Sequence, residues 1–143
     1  MKFLVLLGLL GGLAPAPARA QNGSLTVNVS NLQNTKGVCR YRVFRAAAGF
    51  PMDDSKAVKS VDIPITGPTS RYVFVGLPPG TYAVSVIHDE NNNHKMDTNF
   101  MGIPKEAYGT SNNVRGGVGG PPKFEPASFA LRPAGTTVAI AVK

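Results

Sequence analysis

Tryptophan is absent from this chain, and cysteine occurs once, at Cys39. A lone thiol excludes an internal disulfide, so the fold must be held by packing, with a bound ion as the other available brace. Cys39 lies in a strand-like run and reads as a small buried apolar residue; a bridge to another molecule is the alternative. Long apolar runs are also lacking. The one at residues 3–13 is shorter than the roughly 20 residues that cross a bilayer, and no second candidate follows it. There is no internal repeat, no block of like charge and no sustained helical spacing of apolar residues. Acid is the scarcer sign, with 8 Asp and Glu against 15 Lys and Arg. The basic residues are scattered apart from Arg40, Arg42 and Arg45, and aromatics do not alternate with them as base-stacking platforms would. Nucleic acid is therefore excluded as a partner, which leaves a weak attraction to anionic envelope surfaces.

The first twenty residues read as an address. Lys2 gives a positive start, residues 3–13 are apolar, and Ala18-Arg19-Ala20 is a small-x-small cleavage site before Gln21. Cys39 lies too far beyond the cut to be an acylated first residue. Cleavage after Ala20 would leave 123 of the 143 residues, with 13 basic side chains against 8 acidic ones and a formal charge of +5. That is enough chain for one domain with a real core, exported to a periplasm or beyond and expected to be a monomer.

Short alternating runs separated by Gly, Pro and Asn clusters predict an all-β sandwich of seven antiparallel strands in Greek-key order. The runs are residues 24–30, 38–45, 59–65, 71–77, 81–88, 128–131 and 136–142. In the first, Leu25, Val27 and Val29 share a face; in the second, Cys39, Tyr41 and Val43 point inward and the alternating Arg40 and Arg42 should face water. Pro64 removes a backbone donor and assigns the third run to a sheet edge. Residues 53–57 suggest one helical turn. Pro78-Pro79-Gly80 makes a tight turn between the fourth and fifth runs, and Tyr82 follows it.

Residues 89–126 contain no convincing strand. A connection of that length in a small domain is rare enough that it should carry function. Its first part, D-E-N-N-N-H-K-M-D, places Asp89, Asn91, Asn93 and Asp97 at positions one, three, five and nine of a calcium-loop pattern, with Lys95 supplying a backbone carbonyl at position seven. A hard cation needs several oxygens at once, and a short loop provides them only when every second side chain turns inward. His94 replaces the usual turn glycine, and Phe100 stands where a bidentate glutamate is normal. With two carboxylates the affinity should be weak, on the order of 10⁻⁴ to 10⁻³ M. Asn-rich acidic loops are also ordinary turns that bond their own backbone. Further along, Phe100, Ile103 and Tyr108 are expected to pin the segment to the sandwich, and Gly116 to Gly120 to form a flexible tip.

Other chemistry has thinner material. A small metal-dependent hydrolase would draw on His88, Asp89 and Glu106, and zinc on His88 and His94, a spacing that matches no familiar ligand set. Ser111 lacks the glycines of a nucleophile elbow, and the glycine tip lacks the following helix of a phosphate loop. A non-catalytic domain presenting its long loop to a protein or envelope component is the preferred reading, with a purely structural cover over a sheet edge as a plainer one.

The L-P-P-G-T-Y turn at Leu77 to Tyr82 resembles those of transthyretin-like, carboxypeptidase-regulatory-like and collagen-adhesin B-type sandwiches, where the tyrosine caps the core. G-S-L-T-V-N-V at Gly23, A-G-F-P at Ala48, L-P-P-G-T-Y-A-V at Leu77, H-D-E-N at His88 and D-T-N-F-M-G-I-P-K-E-A-Y-G at Asp97 together resemble a bacterial exported family, domain-of-unknown-function family 2141. That resemblance covers essentially the whole chain after the leader and implies a prealbumin-like sandwich without assigning an activity. Members usually read N-x-N-G-K in the loop, so His94 is a departure from the family pattern.

Overall fold

The computed structural model describes Pro17 and residues 20–143, so the leader and its cleavage motif lie almost wholly outside the described residues. Eight strands make two sheets: β1 (Gly23–Ser30), β2 (Val38–Phe44), β3 (Lys59–Pro64), β4 (Ser70–Leu77), β5 (Gly80–Asp89), β6 (Tyr108–Thr110), β7 (Phe129–Leu131) and β8 (Thr136–Ala141). The smaller sheet has the order β4-β1-β8. The larger runs β3-β2-β5-β6, and β7 pairs with the start of β5. Each of the seven expected runs is a strand, β3 lies at an edge, and the helical turn is a 3-10 turn at Asp54–Lys56. Among the described residues no helix is long and apolar enough to cross a membrane.

Two features differ from expectation. β6 is an eighth strand inside the long connection, pairing Tyr108 to Thr110 with Ile87 to Ser85. And β1 and β8 run parallel, with Leu25 opposite Thr136 and Ile140 opposite Val29, so the sheets are not wholly antiparallel. The chain leaves the larger sheet after β7 and crosses through residues 132–135 beside Gly23 and Ser24, which brings β8 to the same end from which β1 starts.

The period of two sets the core. Leu25, Val27 and Val29 of β1 are sealed while Thr26 and Asn28 are half-exposed. They meet Cys39, Tyr41, Val43, Val84 and Val86 from the larger sheet, with Phe74 and Ile140 on either side. Each such aliphatic side chain stabilises the fold by about 1.5–3 kcal/mol relative to exposure. Cys39 is fully buried, as the sequence suggested, and burial pushes its thiol up to about 11. Tyr82 is sealed beneath the L-P-P-G turn, donates its hydroxyl to the Pro78 carbonyl at 2.6 Å and lies 5.1 Å under the Arg45 guanidinium.

The outer face of the larger sheet is not open to water. Residues 46–58 and the connection after β5 fold over it, held by the Ser85 hydroxyl on the Pro51 carbonyl at 2.8 Å and by edge-on contacts from Phe50 to Phe44 and Phe124. Arg40 and Arg42, expected in solvent, are therefore buried at 3% and 5% exposure. The alternation along β2 holds, and its second face is sealed by these returning segments.

Candidate functional site

β5 ends at Asp89, where the paired strand β2 also begins, so the chain leaves the sheet at a rigid point. Gly37 lies against that end with φ +66°, and a Cβ there would sit 1.8 Å from the Asp89 carbonyl oxygen. Only glycine fits so close an approach. From this anchor the chain curls through Asn92 and His94, both in the left-handed region at φ 55° and 61°. His94 thus adopts the conformation glycine would favour, and its imidazole Nδ1 lies 3.1 Å from an Asp62 carboxylate oxygen on β3.

The fully buried Asp89 carboxylate accepts the backbone N–H groups of Asn93 at 3.1 Å and His94 at 2.8 Å. The Asn91 side-chain oxygen accepts from Asn93 N–H at 3.2 Å, and that of Asn93 from Lys95 N–H at 2.9 Å. The two oxygens of Asp97 then receive the side-chain amides of Asn91 and Asn93 at 2.6 and 2.8 Å. Glu106, also buried, returns from the far end of the segment: its two oxygens accept Glu90 N–H at 3.2 Å and Asp97 N–H at 3.1 Å. Asn91, Asn93 and Asp97 are thus brought together, Asp89 and Glu106 hold the backbone of the same turn, and exposed Lys95 joins through its N–H. A recess of about 220 Å³ opens between Glu90, Asn91, Asp97, Lys105 and Glu106.

Burial and the nearby charges of Asp89 and Asp97 push the Glu106 carboxyl above its usual range, against the two backbone bonds that favour its charged form. Three carboxylates and two amides put oxygen atoms around this turn, the ligand type a hard cation takes, and here those oxygens accept N–H groups. The amides present nitrogen to Asp97 while their oxygens accept the N–H groups of Asn93 and Lys95, so holding a cation would require the Asn91 and Asn93 side chains to leave these bonds. Among the described residues no group of three His, Cys, Asp or Glu side chains is arranged to hold a metal ion, so an ion here would depend on those amides.

A second constellation was not foreseen. Beneath the turn, Arg40 pairs with Asp54 and faces Asp62 at 3.7 Å and Asp89 at 3.9 Å through Nε. Arg42 reaches Asp54 at 3.0 Å and Asp62 at 2.7 Å, and donates to the Tyr41 carbonyl at 2.9 Å. Burial alone would raise the Asp62 carboxyl, but the Arg42 hydrogen bond, the charges of Arg42 and Arg40 and the His94 contact hold it below its usual range. The signal available in the sequence was register: Arg40 stands directly across from Asp62.

The remaining candidates separate. His88 precedes Asp89 on a strand and so points to the opposite face; it is sealed in the interior with Nε2 3.0 Å from the Lys36 carbonyl. It joins neither Glu106 nor the exposed His94. Ser111 is buried, donating to the Ala127 carbonyl at 2.5 Å and accepting Val84 N–H at 2.9 Å, a structural clamp. Phe100 and Ile103 do not pin the segment: they are 98% and 53% exposed. Asn99 shapes that turn instead, its side-chain oxygen accepting Met101 N–H at 2.9 Å and Ile103 N–H at 3.0 Å. Tyr108 is half-buried in β6, and Gly117 and Gly120 close the glycine tip with a reciprocal pair of 2.9 Å bonds.

These features define an all-β sandwich of two sheets whose long connection folds back over the larger sheet, as an oxygen-rich turn set on a buried ion network. The chain belongs to the bacterial family described as "Uncharacterized protein conserved in bacteria (DUF2141)", which it matches over residues 27–139. No curated protein and no solved structure matches it.

Proposed function

We propose that this protein is an exported, non-catalytic sandwich, Greek-key and prealbumin-like in topology, that presents residues 89–126 to a protein or envelope component and uses calcium to order the start of that segment. The observation that carries the reading is the gathering of Asp89, Asn91, Asn93 and Asp97 with Glu106 around one turn. A divalent ion between Asp97 and Glu106 would offset the burial and the charges of Asp89 and Asp97 that push the Glu106 carboxyl above its usual range. The Asn91 and Asn93 side chains and the Lys95 carbonyl would complete the set. A metal-dependent hydrolase built on His88, Asp89 and Glu106 has less support, because His88 belongs to the interior.

Calorimetric titration with calcium chloride tests the ionic part, using the protein and its Asp97→Ala variant. A dissociation constant near 1 mM predicts about 1.4 kcal/mol of stabilisation at tenfold excess, read as a rise in Tm that Asp97→Ala abolishes. No heat and an unchanged Tm in millimolar calcium would remove calcium from the account.

A further inference from the structure

The large apolar side chains that the fold leaves exposed are not scattered. Among the described residues they are Met52, Val58, Val75, Phe100, Met101, Ile103 and Val118. Met52, Met101, Ile103 and Val118 line one cavity of about 680 Å³, and Phe100 adjoins it in the chain. Two turns form its lips. One carries Phe100, which is 98% exposed, with Met101 at 68% and Ile103 at 53%; the other is the glycine tip, with Val118 fully exposed. Between them the cavity is floored by half-buried Met96 and Tyr108 and by buried Pro122.

Basic side chains flank this patch. The adjoining recess shares Gly117, Gly120 and Pro121 with the cavity and adds Arg115 and Lys123, while exposed Lys105 follows Pro104 on the other lip and turns to the recess of Glu90, Asp97 and Glu106. Neither the cavity nor the recess of Arg115 and Lys123 is lined by a carboxylate among the described residues. The acids nearest in sequence are mostly engaged elsewhere: Asp53 with Ser55, Asp54 with the arginines, Asp97 with Asn91 and Asn93, and Glu106 with two backbone N–H groups. Glu125 faces solvent close to Lys123, and exposed Glu90 lies in the recess of Lys105.

We infer that this patch is a docking surface for an anionic lipid bilayer, with Phe100, Met101, Ile103 and Val118 entering the headgroup boundary, Arg115 and Lys123 against lipid phosphates, and the cavity taking an acyl chain. Protruding apolar tips with a basic rim are what a peripheral protein needs to lie on a membrane without crossing it. The three methionines suit chains of varied shape, because thioether side chains adapt their rotamers at little cost. A flat protein partner would meet the tips but leave the cavity between them unfilled. The inference rests on the segment being an interaction surface and names what it meets; it requires no ion.

Co-sedimentation of the full protein with phosphatidylcholine vesicles, with and without an equal part of phosphatidylglycerol, tests it in EDTA and in calcium. Binding to the anionic vesicles in EDTA is expected, weakened by salt. Phe100→Ser should lower the partition coefficient about tenfold or more, the value of a buried aromatic side chain. Lys123→Glu should lower it several-fold on anionic vesicles only. Val75→Ser, at an exposed apolar position on β4 that lines neither recess, should change nothing, and all three variants should keep the native Tm. Failure to bind with or without calcium overturns the inference, and the calcium titration then still judges the oxygen-rich turn separately. Equal losses from Phe100→Ser and Val75→Ser overturn it, as does a dimer that Phe100→Ser disperses while vesicles stay unbound.

Discussion

Replacing Arg40 with alanine tests the organisation of the larger sheet directly. Arg40 is 3% exposed and serves three carboxylates: Asp54, Asp62 and the fully buried Asp89. Removing one member of a buried ion network leaves its partners charged and desolvated, at a cost of about 3–5 kcal/mol. Asp54 is 41% exposed, so water screens that contact and the lower end of the range is expected. For a domain of this size each kcal/mol moves Tm by about 3–5 °C, which places the variant roughly 10–15 °C below the parent. Thermal unfolding followed by circular dichroism reads this directly. Were the arginine facing water, as strand alternation alone suggests, the change would stay within about 0.5 kcal/mol. A Tm within about 2 °C of the parent, the shift that about 0.5 kcal/mol gives, would refute the buried network.

Asp62 should make the fold acid-sensitive. Its folded pKa is depressed, so its stabilisation is present above the ordinary aspartate range and lost as pH falls through the folded value; Asp62→Asn should flatten the low-pH limb of stability measured by urea unfolding. Gly37→Ala should cost at least about 1 kcal/mol for the left-handed backbone alone, and more from the Cβ driven onto the Asp89 carbonyl, read as a drop in the urea midpoint. Cys39 should resist thiol reagents at pH 8 in the folded protein and react on unfolding, scored by mass; rapid labelling of the native state would contradict its burial and raised pKa.

The seven strands were readable because their apolar residues recur at every second position and Gly, Pro or Asn interrupts between them. β6 was not. Its three residues Tyr-Gly-Thr carry no alternation, and the strand exists because β5 offers a free edge and Tyr108 exchanges backbone bonds with Lys143 at 3.1 Å in both directions. Arg40 and Arg42 show a different limit. Periodicity divides a strand into two faces, but whether a loop returns to bury the second face depends on residues far along the chain. In the oxygen-rich turn, the side chains of Asn91, Asn93 and Asp97 bond one another, whereas Asp89 of the same spacing takes backbone N–H groups. The buried Glu106 and the Asp62 partner of His94 come from remote segments that spacing cannot register. Phe100 and Ile103 are apolar yet outside, because the Asn99 side-chain oxygen fixes that turn by accepting the Met101 and Ile103 N–H groups.

The middle position of β1 has a kinetic consequence. Its antiparallel neighbour β4 follows after two intervening strands, but Leu25 must wait for Thr136 before the second flank is covered. Until the last strand arrives, β1 offers a bare row of backbone donors and acceptors, and closing so long a loop is entropically slow. The nascent chain should therefore fold late and as a whole, and should be most prone to mispairing with its neighbours in the interval before β8 docks.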